Sequence, residues 1–526
     1  MAEGRQPSPR ADVCVVGSGP AGALVACRLA EAGHDVVILE AGPRFDGDRE
    51  NRMERHLRPD MGNPWEMGGP RDAYASTGER HYPLNAARVK GVGGSSLHWH
   101  GMVMRLHERD FELHSRHGVG TDWPISYADL RPHYREAERE LGVAGALDNP
   151  YAPPREEPFP LPAFPPSYSD SLFAPACERL GIDMHSVPNA RNSEPYGGRS
   201  ACVGYGTCKP VCPSGAKYTA ETHVARAVEA GARVVDRAPV QRLEHDRSGE
   251  RVDRAVYATP EGTYEQEARR FVVAAGGVET PRLLFLSRST AYPDGLANSS
   301  GLVGRYFMDH LFAGMGGRLD VDTRQHHVGF NTSESHQFYD DTDPVNGLKL
   351  EFLNYAGPTV AGAALSADTW GDELLDQLTG VYGTQLGMGA LVEQLPRKEN
   401  RVTLDPEITD DHGNPVPDVQ WSLDAETEAA LRRANDVQER VLSELGVEIE
   451  WRVGPENTGP AFHQMGTTRM GSDPRTSVVD PSLRTHDLSN LWLVGSSVFP
   501  TGGAMNPTLT IAALALRAAE ALDEGL

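Results

Sequence analysis

"ADVCVVGSGPAGALVACRLAEAGH", residues 11–34, decides how this chain begins to fold. The apolar run 11–16 reads as a buried strand, the glycines of 17–22 as a tight turn, and the alanine- and leucine-rich segment beyond as a helix. Gly17 permits the turn, Gly19 lets the backbone approach a pyrophosphate, and Gly22 lets helix and strand lie close, with the helix N-terminus facing the anion. The next apolar run, "DVVILE", ends in Glu40, an acid placed to accept a ribose 2'-hydroxyl and to disfavour a 2'-phosphate. Strand, turn, helix, strand and acid in this order predict a Rossmann-like dinucleotide site. NAD and FAD satisfy it equally at this point.

The chain has 526 residues, long enough for two or three connected domains and a large buried cofactor. Its net charge of −24, with no basic cluster, excludes a nucleic-acid surface. Apolar stretches break off before bilayer-spanning length, and the N-terminus lacks the apolar core of a signal peptide. By its own sequence it reads as a cytoplasmic chain and not a membrane protein.

Residues 90–105, "KGVGGSSLHWHGMVMR", form a second run of small residues, ending in aromatic and imidazole side chains. Such a loop lets backbone amides lie against a flat ring. Here the chain resembles the glucose-methanol-choline oxidoreductases, over nearly its whole length. The stretches "GGVETPRLLFLS" (276–287), "NSSGLVGRYFMDH" (298–310), "HQMGTTRMG" (463–471) and "GGAMNPTLT" (502–510) carry the same resemblance.

The resemblance implies FAD, held by Gly17, Gly19, Gly22 and Glu40 together with Gly93, Gly94, Ser95, His98, Val240, Gly495, Pro507 and Thr508. In pyranose-oxidase-like members the histidine of a GG-x-x-x-H-W pattern carries the flavin covalently. Gly93, Gly94, His98 and Trp99 match that pattern, so His98 either bonds to the flavin or packs against it. The resemblance also makes His463 and Asn506 the catalytic pair beside the flavin N5. An imidazole suits removal of an alcohol's hydroxyl proton as its hydride leaves, and an amide fixes the hydroxyl.

Three of the six cysteines, Cys202, Cys208 and Cys212, fall within "ACVGYGTCKPVCPSGAKYTA" (201–220). Their C-x5-C-x3-C spacing fits a zinc site poorly, whereas the C-x3-C-P tail echoes iron-sulfur ferredoxins. Three ligands on one loop suit a 3Fe-4S cluster; buried thiols, or one disulfide with a free cysteine, are the alternatives. The stretch also resembles the C-x-G-[FY]-G-T-C-x-P-x-C-P-x-G-A sequence of bacterial glucose/gluconate-type dehydrogenase catalytic subunits within the family, whose cysteines hold such a cluster. That likeness implies a protein electron acceptor, with a small helper subunit carrying an export signal and a membrane cytochrome subunit as partners. Through them the chain would become membrane-associated or exported; with a soluble electron acceptor instead it would remain cytosolic.

The expected fold is α/β: a Rossmann-like FAD-binding domain with a second α+β domain whose antiparallel sheet roofs the flavin, in the manner of this family and of p-hydroxybenzoate hydroxylase. Residues 1–130, 200–309 and 455–526 are assigned to the FAD-binding domain and 310–454 to the substrate domain. Residues 131–199 hold a proline-rich arm and part of the substrate domain. Eight prolines between 150 and 166 suit an extended arm that covers the flavin, reaches a neighbouring subunit or acts as a spacer. His310 and Glu393 are weaker substrate-site candidates, with core or solvated roles favoured. The function implied is an FAD-dependent dehydrogenase oxidising a hydroxyl of a sugar, polyol or related alcohol. An oxidase producing peroxide is the main rival; a non-catalytic electron carrier and an NAD-dependent dehydrogenase stand further off.

Overall fold

The computed structural model describes residues 6–45, 65, 67–326, 329–340, 343–357, 359–381 and 383–526. One long strand, Gly262–Val273, organises the nucleotide half. Its polar first half, from Gly262 to Glu267, pairs antiparallel with Val252–Thr259, beyond which lies Val240–His245. From Ala268 onward it pairs parallel with Ala11–Val16 on one side, and its last three residues with Leu491–Leu493 on the other. Its composition changes where the pairing changes: "GTYEQEA" alternates on a partly solvated sheet, and "FVV" is fully covered, as a central parallel strand must be. The parallel layer continues through Val36–Leu39 to Arg233–Val235. Arg233–Val235 and Val240–His245, close in sequence, therefore join opposite ends of this sheet.

The opening motif folds as its glycines require. Ala11–Val16 is followed by the helix Pro20–Glu31, with Gly19 as N-cap and proline in the first turn. Gly17 sits at φ +98°, and a Cβ on Gly22 would lie 2.1 Å from the Gly17 carbonyl oxygen. Side chains at either position are therefore excluded by sterics. The C-terminal helix Thr508–Asp523 packs beside Pro20–Glu31, and both are lined with alanines that permit close approach.

The second half is built on a six-stranded antiparallel sheet in the order Glu448–Val453, Leu311–Arg318, Gln385–Val392, Leu348–Leu353, Ser333–Ser335, His185–Ser186. The helix Ala425–Glu444 covers it and is capped by Asp424, whose carboxylate accepts from the Thr427 amide at 2.8 Å. "RVTLD" opens Arg401–Thr409, which pairs with Pro415–Gln420 as a ribbon separate from this sheet. The ribbon lies against the helix Gly276–Leu286 of the nucleotide half.

The proline-rich arm is fixed to the protein's own surface. Tyr127 donates to the Pro154 carbonyl at 2.6 Å, and Arg155 pairs with buried Glu138 at 2.6 Å while stacking on Phe159. Both anchors lie on the helix Tyr127–Leu141, which itself bonds to the C-terminal helix through Tyr134 and Thr510 at 2.8 Å. Residues 131–141 thus pack with the nucleotide half, and the arm lies over this helix instead of over the cavity described below.

Position-specific sterics give a direct check. Gly22→Ala forces a methyl into the Gly17 carbonyl and is expected to lower stability by about 1–3 kcal/mol. Gly19→Ala meets nothing within 4 Å and keeps a negative φ, so the cofactor-free protein should melt as the parent does. Thermal unfolding of both variants, followed by circular dichroism, tests the contrast.

Candidate active site

A cavity of about 380 Å³ lies where the two halves meet, within the size range of pockets that enclose an organic ligand. Its lining includes Gly17, Ser18 and Gly19, the pair His463 and Asn506, and the imidazoles of His98 and His100. Three helices begin at its surface: Pro20–Glu31, Gly276–Leu286 and Thr508–Asp523. Their N-terminal dipoles favour negative charge inside.

Of the residues expected to hold FAD, Gly17, Gly19, Glu40, Gly94, Ser95, His98, Val240, Gly495, Pro507 and Thr508 line this cavity. Gly22 and Gly93 lie behind it. Gly22 sets the helix on the strand, while the Gly93 amide donates to Ser18 Oγ at 3.3 Å and ties the two glycine loops together. A Cβ on Gly94 would stand 2.9 Å from the Gly19 Cα, so these loops meet backbone to backbone. Glu40 is buried, and its carboxylate accepts from the Ser18 amide and hydroxyl and the Gly42 amide at 2.6–3.0 Å. Burial nonetheless raises its pKa, the Ser18 and Gly42 bonds opposing the rise.

The open strip above Gly19, the three helix starts and the buried ring nitrogens of His98, which have no partner at hydrogen-bond distance among the described residues, together fit FAD: space and amides for a pyrophosphate, and polar atoms on the wall for its ring. Burial, followed by the charges of Lys209 and Lys217, depresses His98 to about 3, leaving its imidazole neutral. His100, stacked on Phe330 at 3.5 Å, is likewise held neutral by burial, with the same two lysines adding to the effect.

On the cavity wall, His463 Nε2 lies 3.5 Å from the Asn506 amide nitrogen, and Asn506 Oδ1 has no partner among the described residues. The His463 ring is fixed on its other side by His310, Nδ1 to Nδ1 at 2.9 Å, and its backbone amide donates to Asp309 at 2.8 Å. Tyr82 donates to the other Asp309 oxygen, and burial raises this carboxyl to about 7. Burial and the neighbouring His310 push His463 well below its ordinary range.

Sequence reading set His310 and Glu393 aside, and the structure gives both a place near the site. His310 touches His463. Glu393 accepts from the Gly503 amide at 3.1 Å and the Gly347 amide at 2.9 Å, fixing the loop that leads to Asn506. The signal for His310 was its position at the end of "NSSGLVGRYFMDH".

The three clustered cysteines are free thiols, as are Cys14, Cys27 and Cys177, so no disulfide forms on this loop. Among the described residues no group of ligating side chains closes around a single metal ion. The surroundings of Cys212 nevertheless favour a thiolate. Arg191 donates to Cys208 Sγ at 3.5 Å. Ser214, the amides of Lys217 and Ala216 and the Lys217 charge lower the pKa of Cys212 against the effect of its burial. Burial raises Cys202, although Arg191 and the Gly204 amide oppose it. Donors of this kind, spread over three separate sulfurs, fit a group that takes one thiolate per iron. The loop also reaches the cavity. Lys209 lines it, and the buried Lys217 amine donates to the carbonyls of Trp99 at 2.6 Å and Cys208 at 2.7 Å.

Comparison with known proteins agrees with this architecture. Two models of the GMC oxidoreductase family match residues 73–312 and 396–515, and a model of NAD(P)-binding Rossmann-like domains matches residues 15–65. The fructose dehydrogenase large subunit of Gluconobacter japonicus is 35% identical, the alignment covering 97% of each chain. The 2-methyl-1,2-propanediol dehydrogenase of Mycolicibacterium austroafricanum is 35% identical over 97% of this chain and 94% of its own. Among solved structures, formate oxidase of Aspergillus oryzae RIB40 superimposes with a TM-score of 0.70 at 17% identity over 99% of both chains. With such relatives matched along nearly its entire length, and its glycine loops facing one cavity, the chain belongs to the GMC oxidoreductase family.

Proposed function

We propose that this protein is an FAD-dependent dehydrogenase that oxidises a secondary or primary hydroxyl of a sugar, polyol or related alcohol. The observation that carries the reading is the pairing of His463 with Asn506 on the wall of the cavity that also holds the Gly17–Gly19 turn. The two relatives above, named for a sugar and a diol, support a CH–OH donor.

FAD would be held by the Gly17–Gly19 turn, Glu40, the Gly94–Ser95 loop, Val240, Gly495 and the start of the Thr508–Asp523 helix, and it supplies the two-electron acceptor for the carbinol hydride. His463 Nε2 takes the hydroxyl proton as the C–H bond breaks, so an alcohol becomes a carbonyl with the proton held on imidazole. The Asn506 amide donates to the alcohol oxygen and orients it toward that nitrogen. The N-terminus of Thr508–Asp523 directs its positive end into the cavity, favouring negative charge on the bound cofactor. A neutral His98 beside the ring is available either as a covalent anchor or as a packing contact.

Cys202, Cys208 and Cys212 would hold a 3Fe-4S cluster, which supplies one-electron transfer toward a protein acceptor. The support is the lowered pKa of the Cys212 thiol and the Arg191 donor to Cys208, together with Lys217, which ties the cysteine loop to the cavity wall at Trp99. A cytochrome subunit and a small helper subunit are the partners this route calls for. No helix among the described residues is long and apolar enough to cross a membrane, so a membrane-bound acceptor would have to supply its own anchor.

Three measurements test the reading. His463→Ala should keep its FAD but lose flavin reduction by substrate by about 10²–10⁴-fold, measured anaerobically by stopped flow; reduction at the parental rate removes His463 as base. Protein purified without oxygen should contain about three irons per flavin with matching sulfide, and Cys212→Ser should lose the iron while keeping FAD; one iron or none in the parent ends the cluster assignment. Acid precipitation should leave a yellow pellet if His98 bonds to the flavin, and a colourless pellet under a yellow supernatant shows that it only packs.

A further inference from the structure

His310 is fully buried, 153 residues before His463 in the chain, and belongs to neither glycine loop nor to the catalytic pair. Its Nε2 lies 3.3 Å from the Gly502 carbonyl oxygen, and its Nδ1 lies 2.9 Å from His463 Nδ1. A carbonyl can only accept, so the proton of a neutral His310 must sit on Nε2. That leaves Nδ1 bare. Two bare nitrogens cannot share a 2.9 Å contact favourably, so the proton between the rings belongs to His463 Nδ1. His463 then presents a bare Nε2 to the cavity, where the Asn506 amide lies 3.5 Å away.

We propose that His310 is a positioning residue, which uses the Gly502 carbonyl to fix His463 as the Nδ1–H tautomer and so keeps its Nε2 lone pair available for a substrate hydroxyl. The inference builds on His463 as the base. Burial holds His310 near 4, so it stays neutral and its Nδ1 remains an acceptor. The same bond serves the charged state. When His463 receives a proton on Nε2, its Nδ1–H continues to donate to His310, and the new positive charge is shared with a polar partner inside the protein. Gly502 is itself fixed by its neighbours. The next amide, Gly503, donates to Glu393 at 3.1 Å, and Ala504 donates to Tyr339 Oη at 2.9 Å. The carbonyl that sets the tautomer therefore sits on a loop with little freedom to turn away.

Nitrogen NMR of the FAD-loaded full-length protein, labelled with ¹⁵N-histidine, tests this without any substrate. The His463 ring signals are those missing from His463→Ala. In the parent they should show a protonated Nδ1 and a bare Nε2, which differ widely in shift. His310→Leu removes the acceptor and should lose that pattern in favour of the Nε2–H form, whereas His310→Asn keeps an acceptor oxygen and should retain it. An Nε2–H form in the parent, or an unchanged pattern in a folded, FAD-bearing His310→Leu, overturns the proposal. The parental spectrum decides even where His310→Leu fails to fold. Because the readout is a protonation site, it fails separately from the role of His463 as base, which flavin reduction in His463→Ala decides.

Discussion

The 2.1 Å separation between a hypothetical Gly22 Cβ and the Gly17 carbonyl oxygen is the constraint on which the rest of the molecule depends. Without a side chain there, the Pro20–Glu31 helix settles on its strand, and its first amides turn toward the cavity. That placement brings Ser18 to Glu40 and to the Gly93 amide, and Gly19 against Gly94. Two loops 75 residues apart thus become a single surface of backbone. A bulkier residue at the contact would separate the loops as well as strain the helix, because core packing transmits displacement instead of absorbing it.

The histidines around the cavity follow from the same enclosure. Four imidazoles, His98, His100, His310 and His463, are buried in or beside the cavity with Lys209, Lys217 and Lys349 nearby. Desolvation and positive neighbours both oppose protonation, so all four are held neutral. A neutral imidazole is a directional group with one donor and one acceptor, and its usefulness as a base depends on which nitrogen carries the hydrogen. The anions close to the pair, Asp309 and Glu393, do not reverse this. Burial raises both carboxyls, and their oxygens are engaged by the His463 amide and Tyr82 in one case and by Gly347 and Gly503 in the other.

Much of the nucleotide half was legible in the sequence because its signals are local. Ala11–Val16, Pro20–Glu31 and Val36–Leu39 lie within 30 residues of one another, and the change from period 2 to period 3.6 marks their boundaries. The C-terminal helix could be placed from its proline and its alanine content for the same reason. What escaped were decisions made by tertiary pairing. Nothing in "RVTLD" says that it will leave the main sheet for a ribbon, and nothing in "GTYEQEARRFVV" alone says that its first half will pair antiparallel and its second half parallel. His310 was discounted because a single histidine beside an apolar run carries no periodic signal; its role exists only once Leu311–Arg318 brings it against a loop 153 residues away. The arm at 150–166 was legible as extended, yet its seat on Tyr127–Leu141 depended on Glu138, a buried acid whose two arginine partners lie 33 and 17 residues away.

Lys217 ties the cavity to the cysteine loop. A buried amine must donate its hydrogens or bear the cost of an unmet charge, and this one donates to the Trp99 and Cys208 carbonyls, with Leu97 at 3.4 Å. Those carbonyls lie on two different segments, the wall carrying His98 and the turn carrying the thiols. The cation therefore fixes one to the other and at the same time favours negative charge on Cys212. Replacing it with a shorter or neutral side chain would leave carbonyls of both segments without their donor, so the spacing between the cavity wall and the sulfurs would no longer be set by a bond. A buried ammonium with carbonyl partners on both sides is a physical means of keeping that spacing fixed.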